Sequence, residues 1–213
     1  TPFNLKLGEW ESLKLTQGVE WSNDKDGFLF VSVSVVNNGD GMGVTGYIDG
    51  RAVASSYIHR WDEDDNHINR QSFCIPLPAG AKFKITSDNV KWGNPKVNYY
   101  WMPLLAPRWK MQPATPVSNN TWKKAASDGI LFGRVWAAQD GDRATLKIYA
   151  GPDTNANQLY AATSIHWYVG KNRNIKGNSV MVPVQAGMYY QADFKPTWGA
   201  PKADVFWTAI KPR

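Results

Sequence analysis

Three histidines, His59, His67 and His166, are the only imidazoles in the chain. Acid–base and metal chemistry near neutral pH most often recruits this side chain, so placement decides what these three do. His59 and His166 each follow an isoleucine and stand at matching places in the two halves of the sequence. A residue kept at the same place twice suits packing or an interface better than general-base work. The acidic run Asp62-Glu63-Asp64-Asp65-Asn66 offers hard oxygen ligands. An EF-hand loop would need glycine where His67 stands and a glutamate at its end. The run therefore reads as a solvated charged loop, and no metal is expected.

Gly41-Met42-Gly43-Val44-Thr45-Gly46 fits the G-x-G-x-x-G spacing of a dinucleotide site. Such a site must open a helix directly after a strand. Here the segment follows a turn and leads into Tyr47-Ile48-Asp49-Gly50, so it reads as a glycine-rich hairpin without a cofactor. No H-E-x-x-H or G-x-S-x-G pattern occurs. Paired carboxylates for glycoside hydrolysis are defined in space rather than along the chain, and nothing in the sequence selects a pair. The expectation is a non-enzymatic protein. Cys74 is the single cysteine, which excludes an intramolecular disulfide and a cysteine zinc cluster, and it reads as a small core hydrophobe.

These residues sit within a chain of 213 that repeats itself. Asp26-Gly27-Phe28-Leu29-Phe30 matches Asp128-Gly129-Ile130-Leu131-Phe132, and the turn Gly39-Asp40 matches Gly141-Asp142. Ile75-Pro76-Leu77-Pro78-Ala79-Gly80 falls on Val182-Pro183-Val184-Gln185-Ala186-Gly187. Trp92-Gly93-Asn94-Pro95-Lys96 falls on Trp198-Gly199-Ala200-Pro201-Lys202, and Trp101 on Trp207. Two homologous domains are expected, 1–105 and 106–213. Phe28 to Val35, Gly80 to Thr86, Val97 to Leu104, Thr145 to Tyr149 and Ser179 to Val184 read as strands, and no segment keeps a helical period. The fold class is all-β, two tandem jelly-roll-like β-sandwiches.

Aromatic residues make up 13% of the chain, with 11 tryptophans, which suits a sugar- or partner-binding surface or a β-core equally. The repeat sorts them. Trp10 and Trp109, Trp21 and Trp122, Trp92 and Trp198, and Trp101 and Trp207 pair across the halves and read as framework. A duplicated ligand site is the competing reading for the two Trp-Gly-x-Pro-Lys loops, which adds Trp92, Lys96, Trp198 and Lys202 to the candidates. Trp61, Trp136 and Trp167 have no partner. Trp61 with Asp62, Glu63, Asp64 and Asp65, Trp136, and Trp167-Tyr168 with Lys171 and Arg173 are the leading ligand-binding candidates.

Charge separates the halves. The net +6 resolves into −2 for residues 1–104 and +8 for residues 105–213. An anionic contact in the second half follows, such as acidic polysaccharide or lipopolysaccharide phosphate. The basic residues are scattered and make no nucleic-acid motif. The longest apolar run is about half of what a spanning helix needs, and no leader sequence is recognisable, so membrane insertion is not expected.

The order tryptophan, Asp-Gly with an apolar strand, Gly-Asp turn, Pro-x-Ala-Gly segment and terminal aromatic strand resembles the small jelly-roll modules of bacteriophage tail fibres, head fibres and tail-needle knobs. The stretches that carry the likeness are Ser127-Asp128-Gly129-Ile130-Leu131-Phe132-Gly133, Ile75-Pro76-Leu77-Pro78-Ala79-Gly80 and Tyr99-Tyr100-Trp101-Met102-Pro103-Leu104. The resemblance implies a sandwich of the tumour-necrosis-factor or C1q type, a homotrimer, and a place in the virion among other virion proteins. It also implies attachment to host-surface glycans. The tandem copies and the missing collagen-like or coiled-coil stem depart from the family's commonest arrangement. The rival readings are a purely structural capsid-surface component and a cellular tandem lectin or carbohydrate-binding module.

Overall fold

The computed structural model describes residues 6–35, 37–61, 66–68, 70–105, 108–155, 158–168 and 173–213, with backbone alone at 61, 66–68, 88–92, 173 and 174. Among the described residues every regular element is a strand, and every pairing is antiparallel. The all-β expectation holds.

The first half contributes β1 (Glu11–Leu13), β2 (Gly27–Ser34), β3 (Gly41–Ile48), β4 (Arg51–Trp61), β5 (Asn66–Ile68), β6 (Arg70–Leu77), β7 (Phe83–Trp92) and β8 (Lys96–Pro103). The second contributes β9 (Trp109–Met111), β10 (Thr115–Val117), β11 (Lys123–Lys124), β12 (Gly129–Trp136) and β13 (Arg143–Gly151). It continues with β14 (Leu159–Tyr168), β15 (Arg173–Ile175), β16 (Gly177–Val184), β17 (Tyr189–Trp198) and β18 (Lys202–Pro212). Four sheets result. Sheet I runs β1-β8-β2-β6 and sheet II β5-β4-β3-β7. Sheet III runs β10-β18-β12-β16, with β9 on the end of β18, and sheet IV runs β11-β17-β13-β14-β15. The bridge between Trp21 and Phe83 sits where β11 pairs β17 in the second half, so the strand orders of the halves correspond.

Alternation explains the layers. In β2 every second residue, Leu29, Val31 and Val33, is fully buried, and in β13 Ala144, Leu146 and Ile148 are. Period-two burial of this kind marks a strand with one face in a core. Sheets I and II enclose one core around Leu29, Ile58, Phe83 and Trp101; sheets III and IV enclose another around Leu131, Leu146 and Val205. The other face of sheet III is buried too. Ile130, Phe132 and Phe206 leave the second core and join the first. Strand β4 lies across that face, where Ser55 and Ser179 exchange hydrogen bonds: the Ser55 N–H donates to Ser179 Oγ, and that hydroxyl donates to the Ser55 carbonyl, each at 2.6 Å. The molecule is therefore layered I, II, III, IV, with a seam between II and III.

The repeated motifs are backbone clamps. Asp26 and Asp128 each accept the N–H of the following Ala-Gly turn, from Ala79 at 2.7 Å and Ala186 at 2.8 Å. Asp40 accepts from Asn37 and Asn94, and Asp142 from Ala138, Gln139 and Ala200, which fixes each Trp-Gly-x-Pro-Lys loop to its Gly-Asp turn. Gly199, at φ +75°, passes so close to Asp142 that a Cβ would overlap the carboxylate. Gly27 and Gly129 lie under the indoles of Trp101 and Trp207 and leave no room for a side chain either.

Three expectations need correction in detail. Residues 41 to 48 are one continuous strand rather than a hairpin, with the turn at Asp49-Gly50. Ala79 and Gly80 form a turn, and the strand begins at Phe83. Cys74 points away from the core on the outer face of sheet I, level with Phe30, and stays half-buried. Its surroundings push the thiol pKa up to about 12 by desolvation, so the thiol stays protonated at neutral pH.

Candidate binding surface

Sheets II and IV occupy equivalent places in their halves, yet their outer faces differ in both residues and burial. Along β3 the outward positions are Gly41, Gly43 and Thr45, all buried. At the matching positions of β13 stand Arg143, Thr145 and Lys147, which face solvent wholly or in part. The reason is the seam. The outer face of sheet II meets sheet III, and a cavity of about 70 Å³ there is lined by Gly43, Thr45, Ser55, Arg134, Trp136 and Gly177. A Cβ on Gly177 would stand 2.8 Å from the Ser55 Cβ, so close approach needs glycine. Nothing among the described residues covers sheet IV.

The seam uses two of the three unpaired tryptophans, Trp136 and Trp167. Trp136 donates its indole N–H to Asp204 Oδ2 at 2.9 Å, and its ring lies near Arg134 and Lys202, at 4.8 and 5.5 Å. Arg134 in turn bonds Asp204 at 3.1 Å and Ser55 Oγ at 2.9 Å, with 12% of its side chain exposed. Trp167 receives Lys176 over its ring at 4.1 Å, and the same ammonium lies 5.8 Å from the Tyr57 ring of the first half. Cation–aromatic contacts of this type gain strength where water is partly excluded. Beside Trp136 a groove of about 480 Å³ runs between Arg51, Pro116, Arg134 and Asp204. The seam joins unlike faces of the two halves, so each of these residues is needed once. That accounts for their having no counterpart in the repeat.

The other sequence candidates scatter. Tyr168 is exposed at the end of β14, opposite Arg173 of β15. Trp61 ends β4 opposite Asn66, and Trp92 stands opposite Gly41; their side chains and that of Arg173 are not described. Asp62, Glu63, Asp64, Asp65 and Lys171 lie outside the described residues. Lys96 lines a second groove of about 480 Å³ with Asn94, Met42 and Tyr99. Trp198 is 72% exposed at the end of β17, its ring edge over Gly141.

Trp198 opens the surface that sequence reasoning missed. It stands in register with Arg143, and Arg143 with His166, so the three form a row across sheet IV. The next rows are Lys195-Thr145-Ser164 and Asp193-Lys147-Ala162, about 7 Å apart along the strands. Lys124, over the Tyr189 ring at 5.5 Å, extends the face at its far edge. Among the described residues these cations share the face with one carboxylate, Asp193, which holds Lys195 at 3.5 Å. The signal was present as the change from Gly41, Gly43, Thr45 to Arg143, Thr145, Lys147 at matched strand positions. A flat basic face edged by indole attracts anions over a Debye length and stacks against rings or sugar faces.

The two matched histidines differ in the same sense. His166 lies 3.5 Å from Arg143 on the open face, whereas His59 packs against Gly41 and burial lowers its pKa below the ordinary 6.5. The unfolded chain then binds the proton more readily than the folded one. Stability is full above about pH 6.5 and falls as pH drops from there toward the lowered folded value. Thermal melts between pH 7.5 and 5 should show this loss, and His59→Asn should flatten it; an equal pH slope in the variant would remove His59 as the cause.

No protein-family model and no curated protein matches the chain. Among solved structures, the major capsid protein P2 of bacteriophage PM2 aligns over 96% of this chain and 98% of its own, at 9% identity and a TM-score of 0.33. A likeness at that level carries no argument for fold or function. Among the described residues no helix is long and apolar enough to cross a membrane.

Proposed function

We propose that the chain is a non-enzymatic virion component built from two tandem jelly-roll sandwiches, 1–105 and 106–213, which contacts an anionic host-surface glycan through the open face of sheet IV. The observation that carries the reading is the contrast between the matched faces: glycine and threonine where the face is covered, arginine and lysine where it is open. Strand order supports the jelly-roll part. In each half, once the Trp21 bridge is counted as a strand and the short strands β5, β9 and β15 are set aside, the first, last, third and sixth strands form one sheet and the remaining four the other. Most of the rarer motif residues serve the clamps and the seam, which leaves outward contact as the work for Trp198 and the cations around it. Weak single contacts gain from several copies acting together, so self-association belongs to the reading.

Biolayer interferometry on alginate, a uronic-acid polymer, and on delipidated phosphorylated lipopolysaccharide tests it, with neutral dextran as the control. Binding that weakens with salt is expected on the acidic polymers, with a loss of about tenfold or more in an Arg143→Ser, Lys147→Ser, Lys195→Ser triple variant. Equal retention on dextran, or no effect of the triple variant, overturns the assignment of the face. A purely structural virion role is the second reading, favoured by the apolar outer face of sheet I.

A further inference from the structure

The opposite end of the stack presents a different surface. The outer face of sheet I carries Phe30 in register with Cys74 on β6 and with Tyr100 on β8; Trp10 packs edge-on against Phe30 at 6.1 Å, and Tyr100 lies 6.3 Å from it. Trp10 remains 48% exposed. One row along, Ser32 stands between Ser72 and Asn98, and the last row, Ser34 between Arg70 and Lys96, puts two cations at one end of the face. The matching positions on sheet III are Phe132, Met181 and Phe206, with Ser179 in place of Ser72. In sheet III these residues are the seam: Phe132 and Phe206 are 1% and 6% exposed, and Ser179 bonds Ser55. The same arrangement of aromatic rings, sulfur side chain and serine is therefore covered by a sheet in one half, while in the other no sheet among the described residues covers it and Phe30, Cys74 and Tyr100 stay half-buried.

We propose that the outer face of sheet I is an interface with a second copy of this chain, the two faces meeting about a two-fold axis. Two coverings by this chain are conceivable. Head-to-tail stacking would lay sheet IV of one copy on sheet I of the next, as sheet II lies on sheet III. Sheet IV carries Arg143 and Lys147 where sheet II carries Gly41 and Thr45, and burying those cations against phenylalanine and tryptophan without partners is strongly unfavourable. The sheet I face keeps its cations, Arg70 and Lys96, at one end, and a two-fold axis across the strands lets rings meet rings while sending those ends apart. The basic residues of sheet IV thus stop the stack from growing into an open filament, and sheet I closes it as a pair. The inference stands on the seam and not on the glycan reading.

Sedimentation velocity of the full chain over about a hundredfold concentration range tests it. A monomer–dimer equilibrium is expected, little changed by salt. Trp10→Glu, at a half-exposed position that the fold tolerates, should raise the dissociation constant at least about tenfold, while Val19→Glu, an equally exposed apolar site off this face, should not. A nitroxide on Ser72→Cys in a Cys74→Ser background should report one intermolecular distance shared by both copies. A monomer at every concentration, a trimer, or association that Trp10→Glu leaves intact overturns the proposal.

Discussion

Replacing Asp142 with alanine is expected to destabilise the protein by about 3–5 kcal/mol. The carboxylate is fully buried and accepts three backbone N–H groups, from Ala138 at 2.7 Å, Gln139 at 3.0 Å and Ala200 at 2.7 Å. Alanine strands all three donors away from water, each at about 1–3 kcal/mol before relaxation. Gly199 cannot move into the space without giving up its positive φ, so the loop has little freedom to repair itself. Asp142→Asn keeps one acceptor oxygen and should recover part of the loss. Urea unfolding followed by tryptophan fluorescence reads both; a loss under about 1 kcal/mol for alanine would mean that the clamp is replaceable by water.

Trp101→Ala should cost a similar amount, about 3–5 kcal/mol, and more than Trp207→Ala. The Trp101 ring is 1% exposed, meets Trp21 edge-on at 5.3 Å, and lies over Gly27 with no gap for even a methyl group. Trp207 makes the matching contact with Gly129 and stacks on Tyr190 at 5.0 Å, yet stays partly open to solvent. Its removal leaves a cavity that water can enter. Calorimetric melting of the two variants provides the comparison, and equal losses would show that the halves weigh this tryptophan alike.

These two residues mark how far the sequence could be read. Asp142 and Trp101 belong to motifs that recur, and recurrence alone marks them in the sequence. A clamp needs the same donor, acceptor and glycine in each copy, since it closes on backbone within one half. The strands were legible for the same reason: alternation along β2 and β13 reports a local choice of face. What escaped was the relation between halves. Trp136 and Trp167 looked like exposed ligand residues because nothing local distinguishes a ring under an ammonium from a ring under a sugar. Lys176 is nine residues from Trp167 along the chain, but Tyr57 is more than a hundred away, and only the packed seam brings both to one ammonium. The basic face of sheet IV escaped because its cations come from different strands and align only once register is fixed.

The seam also limits what either half can teach about the other. Sheet III presents one face to its own core and the other to a foreign sheet, whereas sheet I has no such neighbour among the described residues. Knowledge gained on a clamp aspartate or its glycine carries over to the twin position. Knowledge gained on an outward-facing residue does not, because Gly41 and Arg143 hold matching strand positions without sharing surroundings. Substitution tolerance in this protein is set alike in both interiors and separately at each exterior, so the halves can differ in what they touch while keeping matching scaffolds.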